Sequence, residues 1–88
     1  MGDVAIKYRL LPDSTEVNID DLISKIKMAL PQGVKVHKTT TVPFAFGLNA
    51  IEVLVVMKDI SGVSEQTEAA LSQVPGIQSI EVLEMSLI

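Results

Sequence analysis

The sequence predicts an α+β domain of the ferredoxin-like kind: β-α-β-β-α-β, a four-stranded antiparallel sheet with two helices on one face. Two observations predict it. Apolar periodicity runs strand, helix, strand, strand, helix, strand, with the middle strands joined by a loop alone. The halves also echo one another: LPQGVKV (30–36) and VPGIQSI (74–80) each leave a helix through Pro and Gly into a strand. With 88 residues, the chain is expected to be one domain, 1–88, with one core.

Residues 4–10 alternate, with Val4, Ile6, Tyr8 and Leu10 on one face and Ala5, Lys7 and Arg9 on the other. This is a half-buried strand. Residues 19–30 place Ile19, Leu22, Ile23, Ile26 and Leu30 at helical spacing. Asn18 is the candidate N-cap, Asp20 and Asp21 suit the positive end of the helix dipole, and Pro31 and Gly33 stop the helix. A second strand is expected over 34–42, with Val34, Val36 and Val42 in phase and β-favouring Thr39–Thr41. In 50–58, Ile51, Val53, Val55 and Met57 share one face and Glu52, Leu54 and Val56 the other. A second helix is expected near 64–74, capped by Ser61 or Ser64, with Thr67, Ala70, Leu71 and Val74 inward. Pro75-Gly76 ends it, and 77–84 forms the last strand, with Ile80 and Val82 inward.

Composition narrows the function. The chain has no cysteine, which excludes disulfides and thiolate metal sites. It opens without a secretory pattern, and no apolar run approaches the roughly 20 residues that span a bilayer. A cytoplasmic protein with no membrane partner is expected. The net charge is −4 and the cations are scattered, which argues against nucleic-acid binding through phosphates. No stacking aromatics stand on the central strands beyond the inward Tyr8. His37 reads as a solvated strand position, Asp20-Asp21 as a helix first turn, and Glu81 and Glu84 as solubilising charges. No catalytic set, metal site, phosphate loop or cofactor motif is assembled.

Two positive features remain. The helix-free face of the sheet is expected to show Leu54, Val56 and Leu83 among Lys7, Arg9, Lys35, His37, Glu52 and Glu81. An apolar strip ringed by charge suits a partner, although scattered exposed apolar residues are also normal. The second feature is the loop TVPFAFGLNAI (41–51), which holds both phenylalanines, and the terminus MSLI (85–88). Phe44 and Phe46 fit the sealing of one end of the core; alternate residues of a tight Pro–Gly loop also diverge, one packing and one projecting.

VPFAFGLNAIEVLVVMKD (42–59) and GIQSIEVLEMSLI (76–88) resemble corresponding stretches of the guanine-nucleotide exchange domain of the elongation factor 1-beta family. There a Pro and a short spacer lead to an aromatic followed by Gly, and a Gln-Ser pair precedes the last strand and a short tail. The resemblance runs from Val4 to Ile88 in element order, and a chain with this domain alone is similar to the archaeal members. It implies a non-enzymatic exchange factor for the GTPase elongation factor 1-alpha; alone, the chain is expected to be a monomer. It also implies that Phe46, followed by Gly47, docks on the partner while Phe44 packs. Met85, Ser86, Leu87 and Ile88 match the tail that the family pushes toward the partner's Mg²⁺ site. Eukaryotic members carry a lysine next to last, where this chain has Leu87, beside an acidic Glu84. Displacement of the ion by an ammonium therefore does not carry over, and a steric or apolar action of Leu87 is expected instead. The rival reading is a ligand-sensing or assembly module that dimerises through the sheet face at Leu54 and Val56. An RNA- or ribosome-associated domain is a weaker rival.

Overall fold

A computed structural model describes residues 2–58 and 62–88. It consists of β1 (Asp3–Pro12), α1 (Ile19–Ala29), β2 (Lys35–Pro43), a 3-10 turn at Ala45–Gly47, β3 (Asn49–Lys58), α2 (Val63–Ser72) and β4 (Ile77–Leu87). The sheet order is β2-β3-β1-β4, with every neighbouring pair antiparallel. Each helix carries the chain across the sheet, so the two β-α-β units interleave as the sequence predicts.

The core follows from strand alternation. Val4, Ile6, Tyr8 and Leu10 of β1 and Ile51, Val53, Val55 and Met57 of β3 are buried, and they meet Leu22 and Ile26 of α1 and Leu71 and Val74 of α2. Register pairs Ile6 with Val55 and Tyr8 with Val53, so the apolar sets of the central strands lie side by side under the helices. α1 begins as expected: the Asp21 N–H donates to Asn18 Oδ1 at 3.0 Å. Asn18→Ala should lower stability by about 1 kcal/mol, read as an earlier thermal unfolding midpoint.

Four local expectations change. Gly62, in a left-handed conformation (φ 89°, ψ −13°), occupies the N-cap of α2 without a side-chain bond. Ser64 lies inside the helix, and Ser61 lies outside the described residues. The helix also ends at Ser72 rather than 74. In β2 the register shifts between Val36 and Lys38, leaving His37 as the extra, exposed residue of a bulge. Val36 still pairs with inward Val55, but Val42 pairs with Ala50, on the helix-free face. The three valines are therefore not in phase, because one inserted residue flips every later side chain. β4 runs on to Leu87, past the expected end at 84, and shifts register against β1 twice, between Leu11 and Pro12 and between Lys7 and Tyr8. Val82 pairs with Tyr8 and Glu84 with Lys7, leaving Leu83 between them.

Tyr8 crosses the core to α2, where its hydroxyl donates to Glu68 Oε2 at 3.3 Å. Burial raises the phenol well above its ordinary value, and the Glu68 carboxylate adds to this by charge and by accepting the hydrogen bond. A raised folded-state value keeps the proton on in the native protein while the unfolded chain ionises. The stability this provides is present below about pH 10 and is lost as pH rises beyond it. Tyr8→Phe should remove that alkaline loss. Tyr8 is the single tyrosine of a chain without tryptophan, so absorbance near 295 nm reads its ionisation directly. That signal should stay flat until the protein unfolds.

Candidate functional site

The β2–β3 hairpin tip is a closed loop built by its own backbone. The Phe44 N–H donates to the Leu48 carbonyl at 2.7 Å, and the Leu48 N–H donates to the Ala45 carbonyl at 3.2 Å. Between them, Phe46 (φ 62°, ψ 28°) and Gly47 (φ 76°) are both left-handed. For Gly47 the conformation is the constraint rather than space: an added Cβ would meet only Thr15 Cγ2, at 3.7 Å. Phe46 is the one non-glycine residue at positive φ among the described residues. Such a conformation costs a side-chain-bearing residue about 1–2 kcal/mol.

Neither phenylalanine seals the core. Phe46 is 94% exposed, with no side chain over it to offset its strain, and Phe44 is 41% exposed. The β2 bulge explains the direction of Phe44. Strict alternation from Val34 would place it inward; the extra residue at His37 turns Val42, and with it Phe44, to the helix-free face. There the Arg9 guanidinium carbon lies 5.6 Å from the centre of the Phe44 ring. Phe44 is thus partly covered by Arg9 while Phe46 projects fully.

Met85, Ser86 and Leu87 are not a free tail. They belong to β4 and pair with Ile6, Ala5 and Val4, and the Ile88 N–H donates to the Asp3 carbonyl at 2.9 Å. The bulge at Leu83 sets their direction. Met85 and Leu87 lie opposite the inward Ile6 and Val4, on the helix side of the sheet, yet they are 58% and 74% exposed. A ten-residue helix is about 15 Å long, whereas an eleven-residue strand is about 36 Å long. α2 therefore cannot cover β4, and Val82, Met85 and Leu87 form an exposed apolar row on an edge strand, with the exposed Ile88 just beyond its end.

The tip and this row are not brought together. Leu10 of β1 pairs with Ile51 near the tip, while Val4 pairs with Leu87. Those β1 positions are about 20 Å apart at 3.3 Å per residue, and the tip extends further, so Phe46 and Leu87 stand roughly 30 Å apart. The long dimension of the molecule, 41 Å, accommodates this. The tip also belongs to the β2–β3 side of the sheet, opposite the β4 edge.

The helix-free face is less apolar in outline than expected. Leu54 and Val56 are half-buried. Lys7 Nζ lies 3.3 Å from Glu52, and Arg9 reaches Glu52 at 3.6 Å and Glu81 at 3.7 Å. The alkyl stems of these charged side chains cover apolar surface beside them. Glu81 is thus an ion-pair partner as well as a solubilising charge. Asp20 and Asp21 stand exposed at the start of α1. Among the described residues, no three His, Cys, Asp or Glu side chains gather at a metal-binding spacing.

Among solved structures, the chain is similar to the ACT domain from the GTP pyrophosphokinase of Chlorobium tepidum. The TM-score is 0.65 at 12% identity, covering 92% of this chain and 99% of that one. It is also similar to the C-terminal domain of the MgtC protein from Mycobacterium tuberculosis (TM-score 0.56, 12% identity, 99% of this chain and 87% of that one). Those likenesses concern the fold alone. Sequence comparison reaches further. The chain is 40% identical over 82 residues to elongation factor 1-beta of Methanocella arvoryzae, covering 93% of this chain and 92% of the relative. It is 38% identical over 85 residues to that of Methanothermobacter thermautotrophicus (97% and 96%). Against that of Archaeoglobus fulgidus it is 32% identical over 88 residues, covering both chains fully. The profile of the EF-1 guanine nucleotide exchange domain matches residues 5–88, a span that includes both the hairpin tip and the end of β4. The profile match over nearly the whole chain and these relatives show the family: the chain belongs to the EF-1 guanine nucleotide exchange domain family.

Proposed function

We propose that this chain promotes GDP release from elongation factor 1-alpha through two separated apolar anchors, Phe46 at the hairpin tip and Met85–Ile88 at the end of β4. Exchange on the elongation GTPase follows from the family. The assignment of anchors is carried by one observation above all: Phe46 is 94% exposed and held in a left-handed conformation. Backbone strain kept at a surface aromatic whose ring makes no burying contact in the free molecule points to a use of that ring outside the molecule.

Exchange needs no covalent step and no group of this chain to accept a proton. The partner holds GDP through a phosphate-binding backbone loop and Mg²⁺. A factor that binds the nucleotide-free form more tightly than the GDP form lowers GDP affinity by the same factor. Anchors roughly 30 Å apart can engage two regions of a GTPase and favour the arrangement in which its nucleotide site is open. Leu87 brings bulk and apolar surface to one end, not charge, so metal loss would follow from displaced switch elements rather than from competition by a cation. The free protein is expected to be a cytoplasmic monomer that binds no nucleic acid. Among the described residues, no helix is long and apolar enough to cross a membrane. The direct test is the release of a fluorescent GDP analogue from elongation factor 1-alpha with and without this protein. Acceleration that saturates with its concentration is expected, and an unchanged rate would refute the proposal.

A further inference from the structure

We infer that Arg9 is a positioning residue for exchange: through Phe44 it fixes the hairpin tip and so holds Phe46 in its projecting conformation. The inference rests on Phe46 as a docking side chain, and it assigns a role to a residue 37 positions away in the chain.

Arg9 sits on β1, the strand between β3 and β4. Its Nη2 lies 3.6 Å from Glu52 of β3 and its Nη1 lies 3.7 Å from Glu81 of β4, so carboxylates on both neighbouring strands hold the guanidinium. The group thus bridges three strands, with its side chain 31% exposed. Its Nε is buried and makes no hydrogen bond. A buried donor left unpaired carries a cost, so this placement is not the one that hydrogen bonding alone would choose. What the guanidinium does meet is the Phe44 ring, at 5.6 Å from its centre, within the range of a cation–π contact.

Phe44 is the residue whose N–H closes the loop onto Leu48. With the ring held by Arg9, the start of the loop is pinned to the sheet, and the next residues have little freedom beyond the left-handed pair at 46 and 47. Without that pin, Phe46 can relax toward ordinary backbone angles, and its strain favours doing so. The binding-ready conformer then becomes only part of the population, and apparent affinity falls in proportion.

The test compares Arg9→Lys, Phe44→Leu and the double variant with the parent chain. Lysine keeps the charge but loses the planar face, and leucine keeps apolar bulk but loses the π system. Both sites are on the surface side, and thermal unfolding confirms that each variant is folded. Two quantities are read: ¹⁵N order parameters of amides 45–48, and GDP release against exchange-factor concentration. Each single variant should lower the tip order parameters from about 0.85 toward 0.6. Each should also raise the half-saturating concentration about fivefold while leaving the maximal rate within about twofold. The double variant should be no worse than the worse single, since the two residues act as one unit.

Unchanged tip order in either single variant overturns the inference. If Arg9→Lys weakens exchange while the tip stays rigid, Arg9 contacts the partner itself and is not a positioning residue. Phe46→Ala runs alongside: if it exchanges normally, the docking role of Phe46 fails, while the order parameters still decide whether Arg9 sets the tip.

Discussion

Phe46→Gly should lose stimulated GDP release and yet leave the free protein as stable as before or more so. Both halves come from the same geometry. A projecting aromatic that fills a partner pocket typically supplies 2 kcal/mol or more of binding, so its loss should cost about thirtyfold in exchange efficiency. In the free molecule the ring is 94% exposed, so its removal opens no cavity. At φ 62°, glycine relieves about 1–2 kcal/mol of strain and loses about 0.5–1 kcal/mol through the greater entropy of its unfolded chain. The melting temperature should hold or rise by up to about 10 °C. Phe46→Ala is the control. It keeps the left-handed strain and should lose exchange to the same degree without gaining stability. If Phe46→Gly melts several degrees lower, the strain is not real; if it exchanges like the parent, the tip is not an anchor.

The second large effect concerns the end of β4. Removing residues 85–88 should abolish exchange, but the deletion alone is ambiguous. Met85, Ser86 and Leu87 pair with Ile6, Ala5 and Val4, so truncation also strips backbone pairing from β1 and should lower the melting temperature. Leu87→Asp separates the two effects. The side chain is 74% exposed, the strand pairing is kept, and the apolar surface offered to the partner is replaced by a carboxylate; Leu87→Ala, which adds no charge, is the control and should also lower exchange. Burying a leucine contributes about 1.5–3 kcal/mol, so a tenfold or greater fall in exchange with little change in melting is expected. Leu87→Lys then distinguishes apolar from cationic action. An apolar Leu87 predicts a loss comparable to Leu87→Ala, whereas faster release than the parent would show that an ammonium displaces Mg²⁺ here too.

Much of the fold was legible locally. Burial of one face imposes a period of 2 on β1 and β3 and a period near 3.6 on α1, and those periods can be read from the residues themselves. Proline and glycine at 31–33 and 75–76 end helices for reasons confined to their own backbone. Both segments proposed as anchors were also singled out from the sequence, through the resemblance of VPFAFG and the MSLI ending to one family. Their geometry was not legible. Nothing in VKVHKTT announces that His37 will be an extra residue, nor does VLE announce it for Leu83. A bulge depends on how one strand fits its neighbour.

Those two bulges had the larger consequences for the site. One sends Phe44 away from the core and under Arg9; the other turns Met85 and Leu87 to the helix side, where α2 is too short to cover them. Residue pattern was sufficient for the element order, the composition of the core and the family, because each depends on neighbours along the chain or on matched motifs. The projection of Phe46, the contact of Arg9 with Phe44 and the roughly 30 Å between the two proposed anchors were decided only by strand pairing. Register is a property of two strands together, and one slipped residue changes which face every later side chain shows.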